Sequence, residues 1–194
     1  KSGQWNTAMG ADFSAFLISH IAGIIADSTE SSIWSGVEAT AGEFGGFLAA
    51  FAADAPTAAP TITGGAYTAA NVIDELGALL AAVPAAVYAK SSEDLYMYMG
   101  VKAYRLYISA ISAAGYVNAY SMNNDYVPYF EGVKIAVCPG MPDNNAVVAL
   151  QSSLFAGTDL ISDETEVRVL DMSTLDGSDN IRIIAKYTMG VQTG

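Results

Sequence analysis

Chemistry-bearing side chains are scarce in this chain. It has one histidine, His20, and one cysteine, Cys138, among 194 residues. A single histidine argues against multi-histidine metal sites and against most histidine-based acid–base catalysis. A single cysteine excludes an intrachain disulfide and fits a reducing compartment. Charge is scarce too, at 14% of residues against 52% hydrophobic. That balance is low in charge for a soluble monomer and points to a surface that meets other protein. Cations are the scarcest: 8 Lys and Arg face 20 Asp and Glu, a formal net charge of −12. So acidic a chain does not hold nucleic acid by neutralising phosphates, which takes clustered Lys and Arg.

Long apolar runs are also missing. Leu76 to Ala89 is too short to span a bilayer and contains Pro84. Lys1 is followed by Ser2-Gly3-Gln4-Trp5 rather than an apolar run, so no signal peptide is expected. No internal repeat and no low-complexity tail is present.

What is present is organised around one long stretch, Asp12 to Trp34. Phe13, Phe16, Leu17, Ile21, Ile24 and Ile25 recur at three- and four-residue steps. That period predicts a helix with one apolar face. Asp12 is placed to cap it and Gly36 to stop it. Such a helix wants a long flat partner. The C-terminal stretch offers one, a hairpin of strands around 164–172 and 181–187, turned by Asp176-Gly177-Ser178-Asp179-Asn180.

Between them lies a second region. Phe44, Phe47, Leu48 and Phe51 predict a small helix, and 55–66, with Pro56, Pro60, Gly64 and Gly65, reads as a boundary loop. Thr68 opens a helix with the stripe Val72, Ile73, Leu76, Leu79, Leu80 and Val83. Leu95 to Met99 has no charge and reads as a buried strand. Val101, Tyr104, Ile108 and Ile111 line a third helix, ended by Gly115. Residues 116–131 read as a tyrosine-rich surface loop. Strands are expected at 132–138 and 146–150, and Leu154 to Leu160 as a short apolar link. The fold class is α+β, with a compact α+β or α/β unit over 68–150 inserted between the parts of another domain.

The blocks in this order resemble the major capsid proteins of tailed bacteriophages, which have the HK97 fold. Glu30-Ser31-Ser32-Ile33-Trp34-Ser35-Gly36 is similar to the exit of that family's spine helix. Asn71-Val72-Ile73-Asp74-Glu75-Leu76 through Val83-Pro84, then Leu95-Tyr96-Met97 and Tyr104-Arg105-Leu106-Tyr107, resembles a helix, strand and helix of its A-domain. Phe130-Glu131-Gly132-Val133-Lys134-Ile135 and Pro139-Gly140-Met141-Pro142-Asp143 resemble the strand and turn that follow. Leu154 to Leu160, Glu166 to Met172 and Asn180 to Gly194 are similar to the closing strands of many phage coats.

The resemblance implies a P-domain formed by 1–58, with the spine helix, and by the strands of 151–194. The A-domain is 59–150. In this family an N-terminal arm and an extended hairpin, the E-loop, precede the spine helix. Only the first eleven residues do so here, so both are expected to be missing from these residues. An intact mass well above 20.2 kDa would point to a further N-terminal segment.

The resemblance further implies a structural subunit, not an enzyme, with no catalytic residue, cofactor or metal. Its partners would be copies of itself in hexamers and pentamers, with scaffolding, portal or decoration proteins beside them. It would enclose double-stranded DNA without sequence-specific binding, touch no membrane, assemble in the host cytoplasm and end in the virion capsid. Two other readings stay open. One is the encapsulin-type protein compartment, which shares the fold. The other is an acidic metal-dependent hydrolase built on Asp159, Asp163, Glu164 and Glu166. Against it, that cluster lacks EF-hand spacing and reads as a solvated turn before a strand.

The remaining singular residues have plain readings. Asp176, Asp179 and Asn180 are turn formers. His20 flanks the apolar stripe, and Cys138 is a small buried hydrophobe at a strand end. Gly45-Gly46 and Gly64-Gly65 lack the spacing and lysine of a phosphate loop. Tyr126 and Tyr129 are the candidate subunit-interface residues, because aromatic side chains concentrate at interface hot spots.

Overall fold

The computed structural model describes residues 11–40, 42–54, 65–90, 94–115, 128–158, 167–172, 177–178, 180–185 and 188–194. These residues mix helix and sheet in an α+β arrangement. The chain divides into two compact units. The larger holds residues 30–156 and 191–194, the smaller residues 1–29 and 157–190.

The core of the larger unit is a four-stranded sheet. Its strands are β1 (Leu95–Met99), β2 (Tyr129–Phe130), β3 (Val133–Val137) and β4 (Ala146–Leu150), in the order β2-β3-β1-β4. β1 runs parallel to β3, while β4 and β2 are antiparallel to their neighbours. Side chains alternate across each strand. Leu95, Met97 and Met99 therefore share a face with Val133 and Ile135, and all five are buried. Two helices are part of the same core cluster: α3 (Val72–Ala81) through Val72, Leu76 and Leu80, and α5 (Val101–Ala113) through Ala103, Tyr107 and Ala110.

Local signals explain the helix ends. Before α3, the Thr68 backbone N–H donates to Asn71 Oδ1 at 2.7 Å and the Asn71 N–H to Thr68 Oγ1 at 3.3 Å. This reciprocal pair closes the turn that starts the helix. A short helix, α4 (Ala85–Tyr88), follows Pro84. After α5, Gly115 takes φ +92°, the left-handed conformation in which glycine ends helices.

The buried face of α5 differs from the expected one. Val101 is exposed, and Tyr104, Ile108 and Ile111 are only half-buried. Ala103, Tyr107 and Ala110 are the residues that go inside. Alanine is a weak apolar signal in a sequence, yet a small side chain lets a helix lie close to a sheet. In α3 the stripe is narrower than expected, with Ile73 exposed.

A second cluster surrounds the C-terminal turn of α1 (Ala11–Ser35). Trp34 is buried with Phe47, of α2 (Phe47–Asp54), and with Met141. Ile33, Phe51, Tyr98, Cys138, Val147, Leu154 and Val191 are packed around them. Asp12 falls within the first turn of α1 rather than before it.

Along its N-terminal half α1 departs from the single-stripe expectation. Phe16 and Ile24 are 65% and 55% exposed, and Leu17, Ile21 and Ile25 are half-buried. The cause lies in composition: residues 13–26 contain no Asp, Glu, Lys or Arg, so the helix is apolar nearly all round.

Strand β6 (Val167–Asp171) pairs antiparallel with β7 (Ile181–Ala185), as the alternation predicts, with Val169 opposite Ile183. Leu154 to Thr158 is a correction. It is a strand, β5 (Leu154–Thr158), paired with β8 (Met189–Thr193), rather than a link. The Gly194 N–H donates to Ser153 O at 3.0 Å at one end of this pair. β5 was not legible as a strand because four of its five residues are exposed and no polar–apolar alternation marks it.

Candidate functional site

Tyr129 lies on β2, one of the two edge strands of the sheet, and is 47% exposed. The other candidate interface residue, Tyr126, lies outside the described residues. So do Asp159, Asp163, Glu164, Glu166, Asp176 and Asp179. Asn180 is exposed, and its Nδ2 donates to Ser178 Oγ at 3.3 Å.

The hairpin that carries Tyr129 is tightly built. Glu131 and Gly132 take φ +46° and +85°. Two successive left-handed residues form the two-residue turn that matches the twist of a hairpin. The geometry is costly for Glu131, which has a Cβ. Two tyrosine hydroxyls hold the hairpin from below. Tyr107 OH, from α5, donates to Tyr129 O at 2.9 Å. Tyr88 OH, from α4, donates to Glu131 O at 2.9 Å. The Tyr107 ring also meets buried Phe130 edge-on, with centroids 5.7 Å apart.

The strand register then sets one row across the sheet. Tyr129 faces Lys134, Lys134 faces Tyr96, and Tyr96 faces Ala149. This row is on the face away from the helical core. Lys134 Nζ stands 5.6 Å from the Tyr96 ring centroid, a cation–π contact. No carboxylate lies within ion-pair distance of Lys134 among the described residues. One step along the face, Tyr98 is covered by Trp34, with ring centroids 5.4 Å apart. Tyr96 and Lys134 are half-buried and Tyr129 is exposed, so the row opens towards the β2 edge. Sequence reasoning named Tyr129 but not Lys134, Tyr96, Tyr107 or Tyr88. The period-two pattern of β1 and β3 puts Tyr96 and Lys134 each on the less buried face of its own strand, but only the register brings them together. No local pattern joins Tyr107 to Tyr129 or Tyr88 to Glu131.

The two singular residues have modest surroundings. His20 is exposed, and its ring stacks on Phe16 with centroids 6.2 Å apart. Cys138 is half-buried one residue beyond β3, and its Sγ lies 3.8 Å from Ala136 O. Burial, and after it the Glu30 charge, pushes its thiol from an ordinary 9.0 up to about 11. It is a neutral thiol at pH 7, and the thiolate is the nucleophilic form. Burial likewise pushes Tyr98 from 10.0 up to about 12, helped by charge on Cys138, Tyr96 and Asp94.

These two groups give a pH dependence with a definite sign. Both fold in their neutral forms, and both hold protons that the unfolded chain releases at lower pH. Stability is therefore unaffected by them below about pH 9 and falls as pH rises towards 11 and 12. Urea midpoints measured from pH 8 to 11 should decline above pH 9. The decline should shrink in a Cys138→Ala, Tyr98→Phe variant; an unchanged slope would contradict this origin.

Among the described residues no group of three or more His, Cys, Asp or Glu side chains is gathered closely enough to hold a metal ion. Among them also, no helix is long and apolar enough to cross a membrane. The site is a surface of aromatic rings, one cation and a braced turn. No protein-family model matches the chain, and no curated protein matches it.

Proposed function

We propose that this chain is a structural subunit of an icosahedral bacteriophage shell, self-assembling into hexamers and pentamers around double-stranded DNA. Its work is assembly rather than chemistry. The observation that carries the reading is α1. At 25 residues it is roughly 37 Å long, and its segment 13–26 is charge-free and apolar nearly all round. A helix of that kind is buried, either in protein or in a membrane. Here Phe16 and Ile24 are exposed, and in this reading neighbouring copies bury them. Binding flat on a membrane surface calls for a polar, cation-rich face, and no Lys or Arg occurs in 11–35.

One further point supports a shell subunit, and a second is compatible with it. The order of blocks from the long helix to Gly194 resembles the HK97-fold coats, with a sheet-bearing unit between the parts of the other. The net charge of −12 also suits a container for DNA, since a lining that gripped phosphates would impede filling. In this reading the chain's first partners are its own copies. Scaffolding, portal or decoration proteins come second, and the finished particle is the virion capsid assembled in the host cytoplasm.

Sedimentation velocity of the full chain tests this. The wild type should run as large assemblies. Ile24→Lys puts a charge on an already exposed position, so the thermal midpoint should hold while the assemblies dissociate. A wild-type monomer, or an Ile24→Lys chain that assembles normally, would contradict the proposal.

A further inference from the structure

We infer that the Tyr129–Lys134–Tyr96 row, with its braced hairpin, docks the carboxylate-bearing surface of a second copy of this chain. This rests on the self-assembly reading and names the surface through which one contact is made.

The hairpin is preorganised. The turn Glu131-Gly132 adopts a conformation costly for Glu131, and hydroxyls from two different helices pin it at Tyr129 O and Glu131 O. A two-residue turn at a sheet edge does not need both braces to close. Strain that is over-determined in this way accompanies contact sites, where a fixed shape lowers the entropy lost on binding. What the braces fix in space is Tyr129, a large, exposed aromatic side chain.

The row also has a definite chemical character. Tyr96 and Tyr129 are the cross-strand neighbours of Lys134 in the row, the Tyr96 ring lies against its ammonium, and its charge has no carboxylate partner among the described residues. The complement of aromatic–cation–aromatic is a carboxylate carried on an apolar-edged surface. This chain supplies such groups in excess, with 20 acidic against 8 basic residues. Glu38 and Asp74, in the same larger unit, are exposed and have no ion pair among the described residues. A cationic row on one copy and a carboxylate on a different face of the next make a head-to-tail contact. Such contacts close into rings when the rotation permits. Single-stranded nucleic acid also stacks on aromatic platforms, but that mode takes a positively charged groove. One lysine on a chain of net charge −12 does not make one.

In this account Tyr129 and Lys134 are contact residues, while Tyr107 and Tyr88 are positioning residues. The test uses the full chain, with association followed by light scattering against concentration and folding followed separately by urea denaturation. Tyr129→Ala should weaken association about thirty-fold, as for an interface hot spot. Tyr129→Phe should retain most of it. Lys134→Glu should abolish the contact and Lys134→Arg should preserve it. Tyr107→Phe should weaken association about five-fold, from one lost hydrogen bond. Compared in conditions where every variant is folded, association equal to wild type in Tyr129→Ala and Lys134→Glu would overturn the inference and leave the shell reading standing. A wild type that stays monomeric at all concentrations would overturn the shell reading and this contact with it. Tight binding of an oligothymidylate, lost in Tyr129→Ala, would show the row to be a base-stacking platform and would also overturn it.

Discussion

Replacing Trp34 by alanine should destabilise the larger unit by about 3–5 kcal/mol. Trp34 is 6% exposed, and its ring lies 5.6 Å from Phe47 and 5.4 Å from Tyr98 by centroid. It therefore joins three separate pieces of chain: the end of α1, the helix α2, and β1 through the face of the sheet opposite the main core. Truncation leaves a cavity bordered by Phe47 and Met141, the other buried members of that cluster. Neither piece can collapse freely to fill it. α1 ends at Ser35, and Gly46 lies so near the Trp34 carbonyl that a Cβ there would be 2.7 Å from it. Urea denaturation should show the loss in the midpoint with little change in slope. Trp34→Phe should lose distinctly less. A cost below about 1 kcal/mol, typical of surface positions, would mean that α1 is not anchored through this side chain.

Gly140→Ala should be nearly as damaging, for the opposite reason. A Cβ at Gly140 would lie 2.5 Å from the Glu30 carbonyl carbon and 2.7 Å from Ser31 N, both backbone atoms of α1. No side-chain rotation relieves that overlap, so helix and turn must separate. Separation also stretches the bond from the Gly140 N–H to Glu30 Oε1, now 3.2 Å. Overpacking of this kind costs about 1–3 kcal/mol, and more where backbone is displaced. Gly77→Ala is the matched control. Gly77 sits inside α3 with nothing within 4 Å of its missing Cβ. There alanine should stabilise by about 0.5–1 kcal/mol through better helix propensity. If both substitutions move stability in the same direction, the close approach at Gly140 is not what holds the turn to the helix.

These two positions show which parts of the fold local sequence carries. The succession of α3, β1, α5, β3 and β4 was legible because each element has its own period and its own stop signal, such as Gly115 after α5. The faces were less legible. α5 turns Ala103 and Ala110 inward, and an alanine says little about which way it points. α1 was legible as a helix, but a segment apolar on every side gives no direction for its packing. β5 carries neither alternation nor β-branched residues before Thr158, so its identity as a strand depends on pairing with β8, far along the chain.

The candidate site divides in the same way. Tyr129 could be chosen because exposed tyrosines are common at interfaces. Its brace by Tyr107 spans 22 positions and that of Glu131 by Tyr88 spans 43, distances no local pattern reports. The cation–π partner of Tyr96 became visible only once β1 and β3 were seen to run parallel in a fixed register.

The most direct test of the account is cryo-electron microscopy of the native assembly that contains this chain. Closed icosahedral shells enclosing layered DNA are expected, with Phe16 and Ile24 of α1 covered by neighbouring chains. Dispersed monomers under native conditions, or small shells filled with protein instead of DNA, would contradict it.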